Sequence, residues 1–338
     1  MQPAHDRSGL GTSAWAAVVT GTIVAMLFAI VRAHGGLAAT EGTLPPRAVS
    51  LSPGASTTDE AMSDEAMADE AMANLERQSA KLLAQPGPSC PADFPAFEAG
   101  RTLRVSMFYG YDEHDGRVYD RADASAMSRV LRSPCRGELS ICGFALVARS
   151  SSAVELRRTL GGRTVEVRLF TSSLASDARR GMSLVSAYLE QDRLSRLVKD
   201  RFYRELVESD VVFYMGHSRL GGGMGFDRQI GVTTAVNAVF RLPMLPVLEA
   251  LRRRPTRLKI LGMFSCDSNR YFRQPFQEAN PALSLILTTG DVNYGPAEQT
   301  SLGALESVLS RKCGHAFHES LISFNESDPT LTALFRGR

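Results

Sequence analysis

The chain has no bulk charge of either sign: 38 Lys and Arg against 36 Asp and Glu leave a net of +2 over 338 residues. That near balance gives no general pull toward nucleic acid. It conceals an uneven distribution, however. Residues 33–99 hold ten acidic and three basic side chains, and residues 1–32 are +1, so residues 100–338 carry +8. The excess is mostly scattered arginine. Its densest cluster, Arg252 to Arg254 with Arg257 and Lys259, falls between a predicted helix and strand and reads as a solvated face, with no nucleic acid expected.

Long apolar runs are also missing, save one. No side chain from Gly9 to Val31 is charged, and Ala14–Val31 (AWAAVVTGTIVAMLFAIV) is almost wholly apolar. At about 1.5 Å per residue it spans a bilayer core, and it exceeds the core of about 7–15 residues found in cleaved signal peptides. Gly36-Leu37-Ala38 would still serve a signal peptidase, and the flanking Arg7 and Arg32 give the positive-inside rule little to act on. The expectation is a tail over 1–13, a single-pass signal anchor over 14–31, and a membrane-tethered remainder in the periplasm or outside the cell. Cysteine is scarce, with five: Cys90, Cys135, Cys142, Cys266 and Cys313. In an oxidising compartment four can pair, in three possible ways, and one is left over.

Residues 32–99 read as a low-complexity stalk. Residues 40–58 are rich in Pro, Ser, Thr and Gly, and DEAM then recurs at 59–62, 64–67 and 69–72. Ala, Glu and Met favour helix, but a period of five turns Met62, Met67 and Met72 about 140° apart each time. Those methionines make no stripe, so a spacer is expected. From about residue 100 the pattern is α/β: strands at 102–109, 141–149, 164–172, 211–216, 257–264 and 283–289. The helices fall at 151–162, 181–208, 244–253, 270–279, 298–311 and 315–324. Alternation of this kind predicts a mainly parallel sheet with helices on both faces, over residues 100–326, with a tail at 327–338. Ligands of such sheets sit beyond the carboxyl ends of the strands.

Two of those ends carry chemistry. Strand 211–216 runs into Gly216-His217-Ser218, and strand 257–264 into Ser265-Cys266-Asp267. On neighbouring strands, His217 and Cys266 would emerge side by side. Histidine can take the thiol proton to leave a nucleophilic thiolate, then protonate a leaving amine. The segment LGGGMG (220–225) offers close backbone approach and N–H groups for a developing oxyanion.

An apolar strand ending in His, followed 49 residues later by one ending in Cys, resembles the caspase-like cysteine peptidases: caspases, metacaspases, gingipain, clostripain and separase. YMGHS resembles the Tyr-x-Gly-His-Gly segment of metacaspases, and FSCDS their cysteine segment. The resemblance covers roughly residues 140–290. It implies a caspase-like architecture, with His217 as base, Cys266 as nucleophile and leftover thiol, and an oxyanion hole from the backbone N–H groups of Ser218 and Cys266. The implied activity is hydrolysis of peptide bonds in a protein or peptide substrate, without a cofactor. Ser218 departs from the usual glycine. No substrate-pocket residue can be matched, and Asp267, Arg270 and Asp291 lie near the edge without defining specificity.

Two other functions stand beside this one. VVFYMGHSRLGGG resembles the nucleophile elbow of α/β-hydrolases, with Ser218, Asp291 and His315 in the order a serine esterase would use. Its second glycine comes one residue late, and 221–225 holds four glycines where a helix should start. A catalytically silent, anchored binding module of the same fold is the third reading. His315 and His318, beside Glu319, share a helix face but lack a third ligand, so no metal is expected. Residues 109–120 (YGYDEHDGRVYD), with four acids and His114, depart from a calcium loop and read as a polar turn.

Overall fold

The computed structural model describes residues 58–84, 102–114, 117–135, 137, 139–228, 231–292, 294–312 and 332–335. The elements begin with α1 (Thr58–Ala84), β1 (Leu103–Tyr109), a small hairpin of β2 (Glu113–His114) and β3 (Arg117–Val118), and α2 (Tyr119–Arg132). Next come β4 (Ala145–Arg149), β5 (Ala153–Leu160), β6 (Arg163–Thr171), the single turn α3 (Ser176–Arg179), α4 (Leu184–Glu208) and β7 (Val211–Met215). The remainder is α5 (Gly231–Phe240), α6 (Leu245–Arg252), β8 (Ile260–Phe264), α7 (Ser268–Ala279), β9 (Ser284–Thr288), α8 (Tyr294–Leu309) and β10 (Thr332–Phe335).

Apart from the β2–β3 hairpin, seven strands between residues 103 and 288 form one sheet and β10 adds an eighth, in the order β10-β9-β8-β7-β1-β6-β5-β4. The five central strands, β9 to β6, are parallel, while β5 and β10 run antiparallel to them and the outermost β4 pairs antiparallel with β5. β7 and β8 are buried at every position, which is why they read as unbroken apolar runs. Alternate residues feed two cores. Val105, Met107, Val211 and Phe213 pack toward α1, α2 and α8, and Phe108, Val212, Tyr214 and Leu261 toward α4, α6 and α7. Buried Glu205 fixes the far half of α4 to the sheet, accepting from Ser106 Oγ at 2.9 Å and pairing with Arg168 at 2.7 Å.

The mainly parallel α/β architecture matches the sequence expectation, with local differences. Residues 151–162 form strand β5 and a turn, not a helix. Leu160 pairs with Arg163 across Gly161-Gly162, whose φ values are +54° and +76°. Paired glycines with positive φ make a two-residue hairpin turn that matches strand twist, so this signal closes a hairpin rather than a helix. β4 begins at Ala145 and is exposed throughout, being the outermost strand.

α1 is not a bare spacer. Its period-five methionines make no stripe, but Ala68, Ala71, Met72 and Leu75 do, at helical spacing. Leu75 is fully buried in the core shared with α2, Ala71 and Met72 pack against that core, and Arg129 reaches Asp69 at 2.7 Å. α1 accordingly groups with the sheet in one compact unit, Ser56–Arg338. Among the described residues no helix is long and apolar enough to cross a membrane. The expected anchor (14–31), the helix 315–324, Cys90 and Cys313 lie outside the described residues.

Candidate active site

β7 and β8 are parallel neighbours, with Met215 level with Phe264 in their register. The ladder continues one step further, Gly216 N–H donating to Phe264 O at 3.3 Å. His217 and Cys266 each stand two residues past the last paired position, so the two strands deliver them to one edge at one level. The chain crosses from one side of the sheet to the other between β6 and β7, with β1 between them, and the crevice at such a switch point is where open α/β sheets bind ligands. The backbone amides expected to hold an oxyanion, Ser218 and Cys266, stand at these same strand ends.

The floor beneath His217 is built around Tyr214. Its hydroxyl donates to His217 O at 3.0 Å and accepts from Gly225 N at 2.7 Å, while Gly225 N also lies 3.1 Å from His217 O. Burial raises the Tyr214 phenol well above its ordinary pKa, so it remains a donor. Two glycines let the backbone close over that ring. A Cβ on Gly216 (φ +155°) would lie 2.6 Å from Tyr214 Oη, and one on Gly110 would lie 2.6 Å from the same atom. Gly110 N bonds Met215 O at 2.7 Å and Tyr111 N bonds Gly225 O at 2.8 Å, tying the end of β1 to the histidine loop. The buried Arg219 guanidinium pairs with the Asp227 carboxylate at 2.5 Å and closes the loop from the other side.

Cys266 is half-buried and its thiol is free. Sγ lies 3.4 Å from Val292 N and 3.6 Å from Val292 O, so the segment after β9 both donates to the sulfur and accepts from it. Asp267 N bonds Gly290 O at 2.8 Å, and α7 begins at Ser268. Cys135 and Cys142 form a disulfide away from this edge.

The other residues named from the sequence lie as follows. The amides of Gly221, Gly222 and Gly225 bond Ser218 O, Arg219 O and His217 O, so these three donors of LGGGMG are used within the loop. Ser218 is only 3 % exposed and is followed by a 3-10 turn, Arg219–Gly221, and then coil, with no helix of the kind a nucleophile elbow needs. Asp291 is exposed, and His315, like His318 and Glu319, lies outside the described residues. Arg270 sits over the Tyr271 ring at 5.8 Å.

Residues 109–120 hold more than a polar turn. Tyr109, Asp112 and Asp120 are buried, and with Asp123 and Glu298 they form an acidic cluster under the end of β1. Burial raises Asp120 to about 7, although hydrogen bonding from Ser173 and then the charge of Arg121 act the other way. Burial and then the Asp120 and Asp112 charges raise Asp123 to about 8, and burial and Asp123 raise Glu298. The folded state therefore favours the neutral acids. Their contribution to stability is fully present below the unfolded carboxylate range near 4, and it is lost as pH rises through about 7 to 8. Urea midpoints are expected to fall from pH 5.5 to pH 8.5, and Asp123→Asn, which keeps that position neutral, is expected to flatten the fall. An unchanged slope in Asp123→Asn would contradict this account of the cluster.

Comparison with family models, with curated proteins and with solved structures finds no match to the chain.

Proposed function

We propose that the chain is a cysteine peptidase using His217 and Cys266, tethered to a membrane through residues 14–31 with its α/β domain on the extracytoplasmic side. One observation carries the reading: adjacent parallel strands end in register with a histidine on one and a free thiol on the other. His217 takes the Cys266 proton, and the thiolate attacks the peptide carbonyl carbon. The tetrahedral oxyanion is held by the Ser218 and Cys266 amides. The imidazolium gives its proton to the departing amine as the C–N bond breaks, leaving a thioester. His217 then deprotonates water, which attacks the thioester carbonyl, and the acid leaves as the thiol is restored. The Cys135–Cys142 disulfide supports an oxidising compartment.

A peptidyl acyloxymethyl ketone is expected to add one inhibitor mass, mapped to Cys266 by mass spectrometry, in wild type and Ser218→Ala but not in Cys266→Ala or His217→Ala. Labelling that ignores His217 would leave the fold as a silent binding module, and a serine adduct would restore the esterase reading.

A further inference from the structure

The backbone at the end of β8 alternates between its two neighbours and carries that alternation past the strand. Met263 pairs with Leu287 at the last rung of the β8–β9 ladder, where Ser268 Oγ donates to Met263 O at 2.7 Å and accepts from Thr288 N at 2.8 Å. Phe264 O turns the other way and accepts from Gly216 N, at the end of β7, at 3.3 Å. Ser265 O turns back to β9. It accepts from Thr288 Oγ1 and, at 3.2 Å, from Ser268 N. Both lone pairs of that carbonyl are therefore used, and Ser265, Ser268 and Thr288 are all buried. The two hydroxyl oxygens lie 2.9 Å apart, so each braces the other.

The consequence falls on the other end of the same peptide. The Ser265–Cys266 bond is trans, and in a trans peptide the C=O and the N–H point opposite ways. With Ser265 O fixed toward β9, the Cys266 N–H is turned toward β7, the strand on the other side of β8, whose end carries His217 and Ser218. Among the described residues that N–H donates to no backbone carbonyl. Packing alone does not call for a hydroxyl at position 288. β9 reads SLILT and is buried from Leu285 onward, and Val has the same branched shape as Thr in a strand. What Val lacks is the donor to Ser265 O.

We propose, resting on the peptidase reading of the site, that Thr288 and Ser268 are positioning residues for the oxyanion. They hold the Ser265–Cys266 peptide so that its N–H faces the oxygen of the tetrahedral intermediate. Neither side chain touches substrate. A donor of this kind acts only when it is aimed beforehand at the place where charge develops, and losing one costs about 10²–10³-fold in kcat. Thr288 thus acts on the reaction through an amide it never bonds, by way of the carbonyl of the same peptide.

The test uses the full chain and three probes: the fluorogenic peptide that wild type cleaves best in a library, the aldehyde of that peptide, and iodoacetamide. Sγ adds to the aldehyde carbon to give a tetrahedral hemithioacetal, whose oxygen occupies the oxyanion site. Iodoacetamide alkylates the same sulfur with loss of iodide and forms no oxyanion. Thr288→Val is expected to lower kcat and aldehyde affinity each at least about tenfold, with KM and the alkylation rate within about threefold of wild type. Thr288→Ser keeps the hydroxyl and is expected to restore kcat and aldehyde affinity to within about threefold. If urea titration shows Thr288→Val unfolded, Ser268→Ala, which removes the brace and leaves Thr288 in place, is read against the same limits. Equal kcat and aldehyde affinity in wild type and Thr288→Val overturn the proposal. So does a lack of rescue by Thr288→Ser, or an alkylation rate that falls with kcat, since the hydroxyls would then hold the turn as a whole and not aim its amide. Failure of the peptidase reading looks different: wild type itself cleaves nothing in the library, and alkylation ignores His217→Ala.

Discussion

Cys266→Ala and His217→Ala are each expected to lower kcat/KM for a fluorogenic peptide by at least about 10³-fold, and the double variant by no more than either alone. The two side chains act as one unit, since the thiolate needs the imidazole to form and the imidazole has no acyl-enzyme to act on without the thiolate. Ser218→Ala is expected to lower kcat/KM by no more than about tenfold, because its side chain is buried and caps nothing. Steady-state hydrolysis by the purified chain reads all four variants together. Loss of activity in Ser218→Ala with activity retained in Cys266→Ala would transfer the chemistry to the serine.

The second large effect is structural. Gly216→Ala would place a Cβ 2.6 Å from Tyr214 Oη, 2.9 Å from its Cζ and 3.0 Å from Gly110 Cα. The ring is fully buried and its hydroxyl is held by Gly225 N and His217 O, so it cannot swing away as an exposed side chain would. Overpacking of this kind costs about 1–3 kcal/mol, and here it also displaces the loop that carries His217. A lower urea midpoint and at least about a hundredfold loss of kcat/KM are expected. Tyr214→Phe removes the nearest clashing atom, so adding it to Gly216→Ala should recover part of the lost stability. Strict additivity of the two changes would mean that the ring is not what the new methyl meets.

The central sheet was legible in the sequence because VVFYM and ILGMF are short apolar runs that only a buried parallel strand explains well, and each stops at a residue with chemistry. The hairpin around Gly161-Gly162 was not, since AVELRRTL fits a helix face and a strand face alike, and a glycine pair closes either. α1 escaped because the eye follows methionines, while the buried stripe is made of alanines and Leu75. α2 escaped for a related reason: Asp120 and Asp123 sit on its buried side, where acidic residues break the apolar period. Tyr214 read as strand core, and it is core, but its hydroxyl is the hub of the histidine loop. That role depends on Gly110 and Gly225, far apart in sequence, arriving at one atom. Val292 gave no signal, because it meets Cys266 only through its backbone.

The most direct measurement is the rate at which iodoacetamide alkylates Cys266 at pH 6.5, in wild type and in His217→Ala. A working pair predicts alkylation at least tenfold slower without the imidazole, with Ser218→Ala as fast as wild type. Equal rates in wild type and His217→Ala would mean that the two strands bring a histidine and a thiol to one edge without coupling them.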